Sequence, residues 1–540
     1  PIALAETVEA TWLTNLVRDF LQTCENAVDS NGKVDSNAVR NCERFLELLI
    51  DVLSQLPTRR FVKTVLDETQ VLVKAKMMPL FTHSSGKLFS QLTDLFSFYL
   101  SFEIDDHTGV ALSDEEFESK HYDRLLVLQR LCFKHIAKLK QLALLHCGAI
   151  EKRDVLETHL QKLNELELKK LAVEQLRLVN EKDPWLDNSE KSQKFLTEVM
   201  VRHFEKRISQ KKQVNAMPLY PNEDVLWDEN VVPSVRYNGD KCLALPKLNL
   251  QFLTLHDYLL RNFNLFRLEA TYEIREDIAD VLKRMQPRRN ANINTTSFSG
   301  WSRMAIPIAQ NTLQITQVKQ PRVGETKPSS VRCEVRVNLS TLKGTARTEW
   351  DEVKQHDVVF LLRCEGGEGS SDSNSINVAE RFGLRRVRGA EVVEVRDSEG
   401  NRYNDFSGGN FGGNNAPTDG PAGYERTFVL QLDAAQYQLD VDRGNDALYP
   451  NLNVLMRRRP KENNFKSILE CIRDLMNADN VIPEWLHDVF LGYGDPAAAQ
   501  GVNLPREEQT MPTSIDFKDT FLDSEHLVEA FPCCDVKWTS

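Results

Sequence analysis

The sequence has no G-x-x-x-x-G-K-[ST] run, the element whose backbone amides and lysine hold the β- and γ-phosphates of a nucleotide. Ser407-Gly408-Gly409-Asn410-Phe411-Gly412-Gly413 is glycine-rich, but no Lys-Ser or Lys-Thr follows it. Gly86-Lys87 is followed by Leu88. ATP hydrolysis by these residues alone is therefore not expected. H-E-x-x-H and G-x-S-x-G are also missing, which removes the zinc-protease and hydrolase readings. His135, His146 and His203 stand singly among apolar stripes, so neither a metal ligand nor a catalytic residue is assigned. The ten cysteines contain no C-x-x-C, and Cys533-Cys534 is their one close pair. Reduced thiols in a cytosolic or nuclear protein follow. No apolar run approaches the roughly 20 residues that a membrane span requires. Net positive charge is lacking as well: 67 Lys and Arg against 79 Asp and Glu leave −12. Contact with nucleic acid must then be a local basic patch, not a property of the whole surface.

What is present is an ordinary globular composition, 41% hydrophobic and 27% charged, long enough for three or four domains. From Ala3 to about Cys147 apolar residues recur at helical spacing. Trp12, Leu13, Leu16, Val17 and Phe20 form one stripe; Cys42, Phe45, Leu46, Leu49, Val52 and Leu53 form a second, ended by Pro57. Phe61 to Val73, Leu88 to Phe102 and His121 to Cys147 continue the pattern. Glu151 to Lys182 reads as a helical hairpin with solvated outer faces, broken by Asp183-Pro184-Trp185, and Ser189 to Gln213 as one more helix. The pattern predicts an α-solenoid, with a compact all-α bundle as the alternative.

Asn215 to Asp240 is punctuated by Pro218, Pro221 and Pro233 and reads as an extended strap. A helix is expected from Thr254 to Gln286, opened by a capping box at Thr254 and Asp257 and striped by Leu259, Phe263, Phe266, Ala270, Ile274, Ile278, Val281 and Met285. A shorter helix, Asn464 to Met476, carries Phe465, Ile468, Leu469 and Ile472. We expect the two to pair antiparallel as a stalk, Phe465 or Ile472 lying on the stripe Ile274 to Met285. Between them the period changes to two. Leu313 to Val318, Val331 to Leu339, Asp357 to Arg363, Val387 to Val395 and Arg426 to Leu432 read as strands of a small antiparallel barrel or sandwich. Arg288 to Ser299 reads as loose, and Gly366 to Ser375 and Ser407 to Gly423 as mobile loops. Val481 to Pro496 suggests a short helix closed at Gly492 with Trp485 and Leu486 buried, followed by aromatic anchors Phe517, Phe521 and Phe531.

Four phrases carry a family likeness: Leu226 to Ser234 (LWDENVVPS), the nearly unbroken run from Cys242 to Asp277, Met456 to Lys466 (MRRRPKENNFK) and Val481 to Pro496. Weaker support comes from Cys42 to Phe61 and Ile515 to Leu527. The chain resembles the Aquarius family, intron-binding superfamily-1 RNA helicases of the spliceosome. The resemblance implies an α+β multidomain protein: an α-solenoid of armadillo-like repeats, then a long helical stalk carrying a small antiparallel β-barrel. It places repeats at 1–185, a joining helix and strap at 186–253, the first stalk helix and linker at 254–299, and the barrel at 300–455. The second stalk helix falls at 456–480 and the start of the motor region at 481–540. An opening Pro1 fits an internal piece whose motor domains lie beyond it. The resemblance further implies intronic pre-mRNA and spliceosomal scaffold proteins as partners, no membrane, and residence in the nucleus (nucleoplasm). No cofactor is expected in this segment; ATP and Mg²⁺ belong to the motor domains.

One basic run stands out, Arg457-Arg458-Arg459-Pro460-Lys461, with Lys466 a turn into the following helix. Arg381, Arg385, Arg386 and Arg388 form a second cluster at a strand edge. Barrel and stalk modules of the related helicases lie beside the RNA path, so Arg457, Arg458, Arg459, Lys461, Lys466, Arg385 and Arg386 are the candidate RNA contacts. The competing readings are a solvated turn, ion pairs to the acidic face of the stalk, or a nuclear-import patch. A stand-alone helical scaffold with an accessory β-module and no nucleic-acid role is the alternative function.

Overall fold

The computed structural model describes residues 2–492 except 30, 107, 234–237, 240, 249–250, 291–294, 311, 367–377, 404–420, 459–464, 479–481 and 483–485, and also residue 528. Most of both glycine-rich loops, together with Trp485, Phe517, Phe521 and Phe531, lie outside the described residues. The chain forms two compact units. One comprises Pro1–Lys212, Tyr237–Asn262 and Leu475–Ser540; the other comprises Gln213–Arg236 and Phe263–Asp474.

The first unit is helical. Val17, Phe20, Leu21 and Cys24 of Ile2–Asn26 and Cys42, Leu46, Leu49 and Leu53 of Ser36–Leu53 face one core, while Trp12 is exposed. Pro57 starts the next helix, Leu56–Thr69, where its missing N–H costs nothing. That helix stops at Gln70, whose φ of 51° is left-handed, and Val71–Met77 follows. The stripes predicted beyond it break into shorter pieces: Asp114–His135 instead of a helix to Cys147, and Ser189–Phe204 instead of one to Gln213. Buried charge ties the unit together. Arg59 reaches Asp106 (2.6 Å) and the Tyr99 carbonyl (2.5 Å), and Lys74 meets Asp183 at 2.6 Å beside Trp185. Arg261 pairs with Asp257 and also donates to the Ser54 carbonyl.

The long helix spans Leu255–Met285, 31 residues and about 46 Å. The predicted cap is present. Thr254 Oγ1 accepts from the Asp257 N–H, and the Asp257 carboxylate accepts from the Leu253 N–H. Residues through Asn262 count with the helical unit and those from Phe263 with the second.

The second unit is built on strands β1 (Pro287–Asn290), β2 (Thr295–Phe298), β3 (Ala305–Pro307), β4 (Leu313–Val318), β5 (Val331–Asn338), β6 (Val358–Cys364), β7 (Leu384–Arg396), β8 (Arg402–Tyr403), β9 (Glu425–Leu432) and β10 (Val454–Arg457). All pairings are antiparallel, in the order β3-β10-β6-β7-β9-β5-β4, with β8 on β7. The outermost strands, β3 and β4, are separated by only five residues, Ile308 to Thr312. Six flat strand spacings would put them ~29 Å apart, while a five-residue link reaches about 20 Å. The sheet therefore curls. Ile306 and Leu313, from its two edges, share one core with Val335, Leu361, Val392 and Leu430. β7 passes the corner with a register shift between Val392 and Glu394, pairing β6 with its first half and β9 with its second.

Arg288 to Ser299, expected to be loose, instead forms the hairpin β1–β2, with Arg288 opposite Ser297. Its polar residues hide a strand because neither face enters the core. β6 is buried on both faces, unlike the alternating β5, because the strap covers its outside. The Tyr220 ring lies 6.3 Å from Phe360, and a Cβ on Gly389, the register partner of Phe360, would sit 2.2 Å from Tyr220 Cγ. The backbone N–H groups of Leu219 and Tyr220 donate to Asp433.

The helix Phe465–Asn477 sets Phe465 against Tyr220 (5.8 Å) and Lys466 against Glu391 of β7, while Arg473 donates to the Asn215 carbonyl.

Candidate nucleic-acid interface

β10 delivers the start of the basic run, and its position decides what those cations meet. Inserted between β3 and β6, it carries Arg457 to a place over Trp350 (5.7 Å), where Glu349 receives the guanidinium. Burial lowers the Arg457 pKa, and Glu349 only partly restores it. Arg458, 3% exposed, turns to the long helix and pairs with Asp277 (2.8 Å) and Glu273 (3.4 Å). Ion pairs to the acidic face of the stalk were one of the competing readings, and Arg458 makes them. Both side chains act as internal ties between the end of the barrel and its neighbours. Arg459 and Lys461 lie outside the described residues. Lys466 meets Glu391 and, at 3.1 Å, Glu470. Burial would lower its pKa, but the bonds and charges of Glu391 and Glu470 together outweigh that and the net shift is upward.

The second cluster divides. Arg388, at the centre of β7, faces inward to a buried network. It forks onto Asp440 at 2.7 Å through two nitrogens and reaches Glu223 of the strap at 2.6 Å. Tyr449 and Gln436 donate to the same Asp440. Arg386 shares Glu223 at 3.2 Å and is 37% exposed; Arg385 meets Glu365 at 2.9 Å and is 62% exposed. Arg386 and Arg388, two residues apart, share one face of β7 and the same Glu223, and Arg386 is the more exposed because it stands nearer the end of the strand.

Arg385 stands at the rim of a feature that the sequence reading missed. A polar cleft of about 380 Å³ is lined by Arg289, Thr296, Arg363, Glu365, Asn451 and Asn453, among others. Its floor is fixed: Asn453 both accepts from the Cys364 N–H (2.9 Å) and donates to the Cys364 carbonyl (2.7 Å), and Thr296 Oγ1 donates to that same carbonyl. Glu365 pairs with both Arg363 and Arg385, and the two arginines of the lining, Arg289 and Arg363, face this single carboxylate. The one sequence signal was Arg363, the lone polar residue in an otherwise buried strand. Arg289 was unreadable because its hairpin was.

No group of three or more His, Cys, Asp or Glu side chains able to hold a metal occurs among the described residues. No helix among them is long and apolar enough to cross a membrane.

Comparison with known proteins fits this division. Residues 3–208 match the family model for the N-terminal part of intron-binding protein aquarius, and residues 286–458 match the model for its β-barrel. RNA helicase aquarius of Mus musculus is 42% identical over 98% of this chain and 35% of its own length. Pre-mRNA-splicing factor cwf11 of Schizosaccharomyces pombe is 20% identical over 91% of the chain and 36% of its own length. The chain thus spans about a third of the curated relatives it matches. With a helical unit and a curled sheet each meeting its own model, and with 42% identity running through both, the chain belongs to the Aquarius family.

Proposed function

We propose that this chain is the non-catalytic N-terminal and central part of a spliceosomal ATP-dependent RNA helicase acting on introns in pre-mRNA splicing. The observation that carries the reading is the 42% identity along nearly the whole chain to a protein named as an RNA helicase, beside similarity to a splicing factor. The helical unit docks spliceosomal proteins, and the barrel unit supports the grip of the motor on intronic pre-mRNA. ATP and Mg²⁺ act in the motor domains, and the site of action is the nucleoplasm. Nothing observed favours a scaffold without a nucleic-acid role.

Within the barrel unit, phosphate contact falls to Arg385 and Arg386, with Arg289 and Arg363 of the cleft and with Arg459 and Lys461. Arg457, Arg458 and Lys466 hold the frame. Phosphate neutralisation releases counterions, so three or four contacts give a salt slope of roughly −2 to −3 on single-stranded RNA. Anisotropy titration of labelled single-stranded RNA against the chain at several salt concentrations tests this. Arg385→Glu with Arg386→Glu is expected to weaken binding alike on all sequences and to flatten the slope. Unchanged affinity in a folded double variant would remove the barrel unit from the RNA path.

A further inference from the structure

The helical unit contains arginines that no carboxylate holds. The helix Ser189–Phe204 packs on Asp114–His135, and the turn after it is pinned there. The Lys206 N–H donates to the Glu151 carbonyl at 3.0 Å, and the Glu151 side chain lies 3.3 Å from His121 and 3.7 Å from Lys206. This sets Arg202, His203 and Arg207 beside His121 and, one turn on, Arg124. The nearby glutamates are already taken: Arg153 binds both Glu198 and Glu205. Among the described residues, neither the Arg202 nor the Arg207 guanidinium has a hydrogen bond or close ion pair, and no nitrogen of either is sealed from solvent. Arg124 makes one bond, at 3.3 Å, to the Lys120 carbonyl.

These cations are recessed as well as unpaired. Both Arg202 and Arg207 are only half-exposed, and burial lowers their pKa, that of Arg202 to about 10, with Arg207 adding repulsion. Burial likewise takes His203 to about 4, with Arg124 and Arg207 contributing, so it is neutral at pH 7. Asp67 is the one remaining carboxylate close enough to act on both arginines, and burial raises rather than lowers its pKa. A fold gains nothing from holding like charges together, half-dehydrated and without a close ion pair. Such an arrangement is suited to receiving an anion from outside.

We propose that the recess formed by Arg124, Arg202 and Arg207 is a docking site for an acidic segment of a partner protein, whose carboxylates take the open guanidinium donors. The proposal deepens the reading of the helical unit as a docking module and rests on it. A peptide fits better than a nucleic acid for two reasons. Asp67 and the fixed Glu151 and Glu205 admit one or two acidic groups but oppose a continuous run of phosphates. Ile208, 64% exposed and next to Arg207, offers an apolar contact at the rim.

The test titrates the full chain with a fluorescein-labelled peptide of mixed Glu and Leu, and in parallel with a single-stranded oligouridylate. The peptide is expected to bind. Arg202→Gln with Arg207→Gln is expected to weaken it about a hundredfold, about tenfold for each charge-assisted contact. The midpoint of thermal unfolding should hold or rise, because the substitutions relieve repulsion and dehydration; a purely structural role predicts a fall. No peptide binding, equal binding by the double variant, or binding of oligouridylate in its place overturns the proposal. Co-purification of splicing proteins separates the two levels. Retention by both chains without peptide binding removes this site and leaves docking intact, whereas retention by neither removes both.

Discussion

The barrel unit and the helical unit both give their buried arginines carboxylates and both leave partly buried arginines without a salt bridge, singly at Arg267 in the barrel unit, which donates to the Pro218 carbonyl, and together at Arg202 and Arg207 in the helical unit. In the barrel unit, the buried Arg275, Arg388, Arg426, Arg457 and Arg458 all meet carboxylates, Glu229, Asp440, Asp351, Glu349 and Asp277 respectively. The helical unit does the same with Arg59 and Arg261, but leaves Arg202 and Arg207 half-exposed and unmatched. The lesson is that local charge density does not mark an anion site. The densest basic run in the chain is largely neutralised by its own fold where it is described, while scattered arginines brought together by helix packing remain open. What matters is whether the fold supplies the counter-charge.

The comparison breaks most readily at Arg388. Removing one member of a buried, hydrogen-bonded ion network leaves the others uncompensated, so Arg388→Ala should destabilise the barrel unit by about 3–5 kcal/mol. Chemical denaturation measures this. A loss below about 1 kcal/mol, in the range of exposed pairs, would erase the contrast with Arg202. Gly389→Ala comes next. Its new methyl would meet the Tyr220 ring, which Phe360 and Phe465 hold in place, for an expected cost of about 1–3 kcal/mol. Wild-type stability in that variant would show that the strap yields.

In the helical unit the Ser113 and Glu116 capping box opens Asp114–His135, the helix that carries His121 and Arg124. Ser113→Ala should cost about 1 kcal/mol in unfolding free energy, and a neutral result would show the cap to be redundant. The smallest expected effect is one of pH. Burial holds His203 and His256 near 4, so the unfolded chain takes up protons below about 6.5 that the folded chain refuses. Their contribution is intact above pH 6.5 and is lost as pH falls toward 4. Glu43, raised to about 7 by burial, acts oppositely: its contribution is present below the ordinary carboxyl value of 4.5 and is lost as pH rises through 7. Asp67, Glu103 and Asp257, likewise raised by burial, act with Glu43, so the histidine effect is read against a variant. The melting midpoint of the unsubstituted chain relative to His203→Gln should rise from pH 4.5 to 6.5. A constant difference across that range would contradict the assignment.

Legibility followed periodicity. β5 and β9 were readable because Val331, Cys333, Val335 and Val337 alternate against Phe428, Leu430 and Leu432. The long helix was readable from its stripe and from Thr254 and Asp257. The hairpin β1–β2 and strand β10 were not: one is polar on both faces, and the other is four residues long and ends in an arginine. Helix ends were misjudged where the break is conformational, as at Gln70 with its positive φ. Of the candidate site, Arg385 and Arg386 lie near the start of β7. The partners of Arg457 and Arg458, Glu349 and Asp277, stand more than a hundred residues away in sequence. Local patterns carry no information about such partners. The same holds for Arg124 and Arg202.

The position of β10 also sets the order in which the barrel unit can be completed. β3 pairs only with β10 among the described strands, and β10 is made about 150 residues later. During synthesis β3 waits unpaired, and β6 shows a bare edge, until Val454 to Arg457 leave the ribosome. A helix such as Ser36–Leu53 needs only its own turn and near neighbours. The sheet closes on a long-range contact, and a chain halted before Val454 would carry open strand edges available to any other strand. The last four-residue strand is thus the latch on which the unit's protection from self-association depends.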